Sequence, residues 1–291
     1  CRLNKGSSEK RFQGLKRRFQ TAFFPVTHPN IGNPFEQVQP IMTEPITIAT
    51  YNIHKGMSPL NRKVQISDMA QALESLKPDI LFLQEVQGQN LLRELKLPDF
   101  PARPQDNIIA DHLAYYTSYG KNAVFPQKHH GNAILSRLPI QMRQNVNISV
   151  NRLEKRGVLH CEILPDGWEM PIVCLCAHLN LLERDRVKQY VAIFEYVTTY
   201  IPPEAPLILA GDFNDWRHKS TLNIGSTLGL TEVFLDRHGA LPKTFPARMP
   251  VLSLDRIYTR NLDILNATLH SEEPWQYLSD HLPLSATVRM R

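Results

Sequence analysis

Asp212 and Asn214 stand two residues apart in Leu209-Ala210-Gly211-Asp212-Phe213-Asn214-Asp215, where an apolar run stops on a glycine. A buried strand ending there delivers a carboxylate and an amide, groups for proton transfer and hydrogen bonding, to one point. Asp and Asn after a strand are also ordinary turn residues, so the segment alone decides little. Four more segments of the same kind change the balance: Tyr51-Asn52-Ile53-His54, Leu83-Gln84-Glu85-Val86, Cys176-Ala177-His178-Leu179 and Ser279-Asp280-His281-Leu282. With Asp255, they place Asn52, Glu85, His178, Asp212, Asn214, Asp280 and His281 at or just past the ends of apolar runs. Strand ends are where a sheet gathers functional side chains from distant sequence positions. No Ser or Cys has the setting of an activated nucleophile.

The elements that must carry these residues are short. Ile46 to Tyr51 reads as a strand, Val64 to Leu76 as a helix ending ahead of Pro78, and Asp79 to Gln84 as a strand. Gly131 to Ser136 reads as another. Gly157 to Leu164 and Pro171 to His178 read as a strand pair joined by Pro165-Asp166-Gly167. A helix is expected from Leu182 to Tyr200, with Glu183, Val187, Tyr190, Val191 and Phe194 on one mixed face, stopped by Pro202 and Pro203. Strands follow at Leu207 to Ala210, Ser253 to Tyr258 and Leu284 to Val288.

The net charge of +5 is not spread evenly. Residues 1–41 hold seven Lys and Arg against two Asp and Glu, leaving 26 of each sign in the remainder. Residues 1–43 are therefore expected to form a basic, disordered N-terminal arm, suited to anionic polymers or to peripheral contact with a membrane, and residues 44–291 one domain. A chain opening on Cys1 reads either as a mature lipoprotein or as a trimmed chain; the basic residues that follow and Met42-Thr43-Glu44-Pro45 favour the second. No apolar stretch approaches the ~20 residues of a bilayer span. Cys174 and Cys176 alternate in Ile172-Val173-Cys174-Leu175-Cys176-Ala177, a core spacing rather than a zinc pattern, which favours a reducing compartment and a cytoplasmic location.

Taken in order, TYNIH, LFLQEV, GNAILSR, CAHLN, GDFND, LDRIY and SDHLP resemble the endonuclease/exonuclease/phosphatase superfamily over about residues 46–289. The resemblance implies an α/β (α+β) fold of two packed mixed β-sheets flanked by helices, a four-layer sandwich. It also implies a metal held by Glu85 with Asn52 and Asp280. Oxygen ligands suit a hard cation such as Mg²⁺ or Mn²⁺. By the same resemblance Asp212 orients or deprotonates the attacking water, Asn214 holds the scissile phosphate, His281 stabilises negative charge on phosphorus, and Asp255 orients the His281 ring. Asp280 cannot do so, because neighbours in an extended segment face opposite ways.

His178 matches the deoxyribonuclease and sphingomyelinase branches rather than the abasic-site branch, where tyrosine serves nearby. Asn132 resembles a position on the cleft floor. Arg156, Arg184, Arg186 and Gln189 are candidates for substrate phosphate, with plain surface positions as the alternative. His54, His129 and His130 read as loop residues near the cleft. The expectation is a monomeric Mg²⁺- or Mn²⁺-dependent phosphodiesterase, nuclease-like, acting on DNA or RNA. A phospholipid or small phosphoester substrate, or an inactive binding module, are the alternatives.

Overall fold

The computed structural model describes residues 44–291. The basic arm, Cys1 and Met42 lie outside the described residues. Twelve strands are ordered β1 Ile46–Asn52, β2 Ile80–Asn90, β3 Tyr116–Phe125, β4 Lys128–Ser136, β5 Ile140–Asn147, β6 Gly157–Ile163, β7 Ile172–His178, β8 Leu207–Asp212, β9 Thr231–Glu232, β10 Asp255–Arg260, β11 Leu262–Leu269 and β12 Leu284–Met290. Helices are α1 Ile66–Ser75, α2 Leu91–Lys96, α3 Gln105–Leu113, α4 Glu183–Tyr200, α5 Ser226–Leu228, α6 Val233–His238 and α7 Trp275–Leu278. The strands form two mixed six-stranded sheets, ordered β11-β12-β1-β2-β4-β3 and β5-β6-β7-β8-β10-β9.

Alternation along the central strands builds the layers. Ile48 of β1, Ile80 and Phe82 of β2, Cys174 and Cys176 of β7, and Ile208 and Ala210 of β8 share one core between the sheets. Their neighbours point outward. Ala49, Tyr51, Leu81 and Leu83 pack against Met69 and Leu73 of α1 and Ile109 of α3. Val173, Leu175, Leu207 and Leu209 pack against Tyr190, Ile193 and Val197 of α4. Strands covered on both faces are mainly apolar, as these segments are ahead of their polar ends, and the layers follow as helix, sheet, sheet, helix. This is the sandwich expected from the sequence.

Three details differ from the sequence reading. β2 does not stop at Gln84 but continues to Asn90, because irregularities in its pairing with β4, between Leu83 and Val86 and again between Gln87 and Gln89, let the strand pass polar residues while keeping its ladder. His129 and His130 are not in a loop; both belong to β4. The buried face of α4 is not the one expected. Asp185, Arg186, Gln189, Tyr190, Ile193, Tyr196 and Val197 are buried, whereas Val187, Val191 and Phe194 are exposed. Polar groups went inward there because they have partners, described below. Among the described residues no helix is long and apolar enough to cross a membrane.

Candidate active site

Three strands of the second sheet end on one rung. In the parallel pair β7–β8, His178 lies opposite Asp212, and in the antiparallel pair β8–β10, Asp255 lies opposite Asp212. Register alone therefore gathers a histidine and two carboxylates from positions far apart in the chain. Gly211 makes the rung attainable: its φ is +143°, and a Cβ there would sit 1.9 Å from the Ala177 carbonyl oxygen. From the first sheet, β1 ends on Asn52, whose Nδ2 donates to Asp212 Oδ2 at 3.0 Å. The two sheets meet at that bond.

Asp212 is the hub. Its Oδ2 lies 3.5 Å from His178 Nε2 and 3.8 Å from His281 Nε2, and its Oδ1 accepts from the Asn214 backbone N–H at 2.9 Å. Asn214 takes a left-handed turn, φ +49°, and its side-chain amide donates to the Leu179 carbonyl at 3.0 Å. His281 is held on its far side by Asp255 Oδ2, 2.8 Å from Nδ1, while the ring of Phe245 packs 5.0 Å away, centroid to centroid. Ser279 Oγ donates to the Asn52 carbonyl at 2.7 Å, tying the Ser279-Asp280-His281 loop to the end of β1.

Burial sets the protonation pattern. It pushes the Asp212 carboxyl up to about 6; the charge of His281 pulls it back and that of Asp255 raises it further. His281 would be neutralised by burial alone, but Asp255 first and Asp212 second outweigh that and lift it to about 10. One imidazolium between two carboxylates is the stable state. His178 goes the other way, kept well below the ordinary histidine value by burial and by Arg156, so it is a neutral imidazole. Two histidines within reach of one carboxylate thus hold opposite charge states.

Asn52, Glu85, Asp280, Asp212, His281, His178, Asn214 and Arg156 all line one cleft of ≈ 310 Å³. Glu85 reaches it from a left-handed backbone, φ +57°, at the irregularity in β2. Its carboxylate pairs with Lys55, and although burial opposes ionisation, the Lys55 ammonium holds it well below the ordinary carboxylate range. Asp280 accepts from His54 Nδ1 at 3.0 Å; that bond and His281 outweigh burial and keep it low as well. The carboxylates of Glu85 and Asp280 and the amide oxygen of Asn52 are a hard, all-oxygen donor set suited to Mg²⁺ or Mn²⁺. Asp212, Asp255 and His281 also bring ligand-type atoms within 4.8 Å of one another. There His281 Nδ1 is already engaged by Asp255 Oδ2.

Other candidates lie elsewhere. Asn132 is buried behind the cleft, its Nδ2 donating to the carbonyls of Gly157 at 2.9 Å and Cys176 at 3.0 Å. Arg184 is 81 % exposed on the first turn of α4 and does not line the cleft. Arg186 is fully buried and donates to the carbonyls of Asn180 and Leu181, while Gln189 bonds Asn180, so both brace the loop after β7 rather than meet solvent. Arg156 is positioned by Glu154 at 2.7 Å and the Leu179 carbonyl at 3.3 Å. Residues that the sequence reading passed over are Lys55, Trp216 and Phe245. Lys55 directly follows a candidate segment and Trp216 lies two residues past Asn214, so proximity was the available signal.

A two-sheet sandwich with this rung of Asp, His and Asn residues defines the endonuclease/exonuclease/phosphatase class. The chain belongs to the Endonuclease/Exonuclease/phosphatase family, whose model matches residues 49–281. It is 40% identical over 243 residues to the uncharacterized protein YbhP of Escherichia coli (strain K12), covering 84% of this chain and 96% of that protein. Its fold is similar to an endonuclease/exonuclease/phosphatase from Beutenbergia cavernae DSM 12333, with TM-score 0.68, 19% identity, and 84% and 72% of the two chains covered. It is also similar to D. rerio TDP2 complexed with single strand DNA product, with TM-score 0.61, 18% identity, and 84% and 98% covered.

Proposed function

We propose that this chain is a divalent-metal-dependent phosphodiesterase that transfers the phosphoryl group directly to water. The observation that carries the reading is Asp212, a buried carboxylate raised toward neutrality and set between a charged and a neutral histidine. A base with this elevated pKa can take a proton from water near neutral pH and return it. His178, neutral and 3.5 Å away, shares in holding that water. His281, kept cationic by Asp255, places positive charge where phosphorane oxygens gain negative charge. Asn214 and Arg156 orient the phosphate, the amide as a neutral donor and the guanidinium as a fork. Glu85, Asn52 and Asp280 would hold a Mg²⁺ or Mn²⁺ ion, which supplies Lewis-acid polarisation of a phosphoryl oxygen.

A nucleic-acid strand is the substrate class favoured by the solved relative bound to single-strand DNA product. The apolar lining of the cleft, Leu181, Trp216, Phe245, Leu252 and Leu254, keeps a small phosphoester or phospholipid as the second reading. The test is turnover with Mg²⁺ or Mn²⁺ of bis(p-nitrophenyl) phosphate, single-stranded DNA, RNA and phospholipid in parallel. Turnover only of lipid transfers the assignment to the second reading. No turnover of any of them, with a folded protein and either metal, refutes hydrolysis.

A further inference from the structure

Asp280 has a second outlook. Besides the catalytic cleft it lines a neighbouring cavity of ≈ 440 Å³, built from the turn 58–65, the loop 246–248 and Tyr277 of α7. Three cations line that cavity, Arg62, Lys63 and Arg248, and Asp280 is the one carboxylate among its lining residues. That carboxylate is engaged by His54 Nδ1 at 3.0 Å. Lys63 shares its ammonium with Asp68 at 3.3 Å across a solvated surface, a weak tie. Arg62 and Arg248 have no carboxylate partner among the described residues. In a domain whose charges balance, two unneutralised guanidiniums brought from distant loops to one cavity beside the cleft form a site of positive potential.

The site is also shaped. The Arg248 guanidinium lies over the Tyr277 ring, 4.7 Å from its centroid. The ring belongs to a fixed wall, because the buried Gln65 donates through Nε2 to the Tyr277 carbonyl at 3.3 Å. A guanidinium held over an aromatic face keeps N–H groups along its edge free, in the planar fork that matches two oxygens of one phosphate.

We infer that this annex binds a second phosphate carried by the same substrate molecule, so that the preferred substrate is a phosphodiester that also bears a terminal phosphate group. This rests on the phosphodiesterase reading: the scissile diester occupies the cleft, and the terminal phosphate passes Asp280 to reach Arg62 and Arg248. The same chemistry occurs on a nucleotide and on a lipid headgroup, and matched probes separate the two.

The test is binding, by isothermal titration calorimetry in EDTA so that no probe is consumed. One pair is thymidine 5′-(p-nitrophenyl phosphate) with and without a 3′-phosphate. The other is dihexanoyl phosphatidylglycerol phosphate, which carries a terminal phosphate, and dihexanoyl phosphatidylglycerol, which lacks it. In at least one pair the terminal phosphate should tighten binding by about tenfold or more, as charge-assisted bidentate pairing allows. Arg62→Met and Arg248→Met, both on exposed side chains, should each reduce that gain several-fold, and the double variant should erase it while binding the partner lacking the phosphate as the wild type does. The inference is overturned if neither pair shows a gain or if the gain survives in the double variant. Turnover of the same probes with Mg²⁺ is scored separately: its absence would sink the hydrolase reading and leave the binding comparison standing.

Discussion

Asp255→Asn offers the sharpest test of the Asp255–His281 pair, because it removes a charge while keeping a hydrogen-bond acceptor in place. At 2.8 Å, Asp255 and the His281 imidazolium attract by about 6 kcal/mol at an effective dielectric of about 20. If the amide dipole retains about a third of that, the loss is about 4 kcal/mol, or about three pKa units. His281 would then fall from about 10 to about 7. With bis(p-nitrophenyl) phosphate followed from pH 5 to 10, the variant should match the wild type closely at pH 6, lose about twofold at pH 7 and about 30-fold at pH 8.5, as its charged fraction declines. Stability should follow the same sign. A histidine whose folded pKa is raised contributes stability that is full below about pH 6.5 and disappears as pH climbs through about 10, so the gap between wild type and variant in urea unfolding should be widest in acid and close toward pH 10. A defect equal at all pH values, or a His281 ring that NMR shows still charged at pH 8.5 in the variant, would refute this account.

Asp212→Asn should lower kcat by about 10²–10⁴-fold, yet leave the thermal midpoint at pH 7 unchanged or raised, since it removes a carboxylate whose ionisation burial disfavours; a variant that keeps its turnover would take the base role from Asp212. Glu85→Gln should shift the Mg²⁺ or Mn²⁺ needed for half-maximal activity upward by tenfold or more, and chelation should silence the wild-type protein until metal is restored; turnover in EDTA equal to that with metal would contradict both. Gly211→Ala forces a Cβ against the Ala177 carbonyl and should cost more than ~3 kcal/mol of stability, read from urea unfolding. Arg184→Ala, on an 81 % exposed side chain, should change activity by less than about twofold on every substrate tested.

What the sequence revealed follows burial. Ile46–Asn52, Ile172–His178 and Leu207–Asp212 are covered on both sides, and their mainly apolar sequences announce them. β3, β5, β9 and β11, none of which the reading named, are the four edges of the two sheets. An edge strand carries polar residues on its open side, so Ile140–Asn147, with no residue fully buried, has no pattern to detect. The site was legible for a related reason: its members end the buried strands. Arg186 was read as a phosphate-binding or surface residue because a fully buried guanidinium is rare, and only its carbonyl partners account for it. Phe245 became visible only once separate segments were brought together in space.

Beneath the cleft, Asn132 of the first sheet hands both its amide hydrogens to carbonyls of the second, and Gln84 of β2 donates to Cys176 Sγ of β7 at 3.3 Å. These contacts, with the Asn52–Asp212 bond, act as rivets between two slabs whose remaining contact is greasy, directionless packing. Sliding one slab over the other would change little in apolar burial, but it would break the rivets and part Glu85 from Asp212. The spacing between Glu85 and Asp212 is thus guarded by a carboxamide buried behind the cleft.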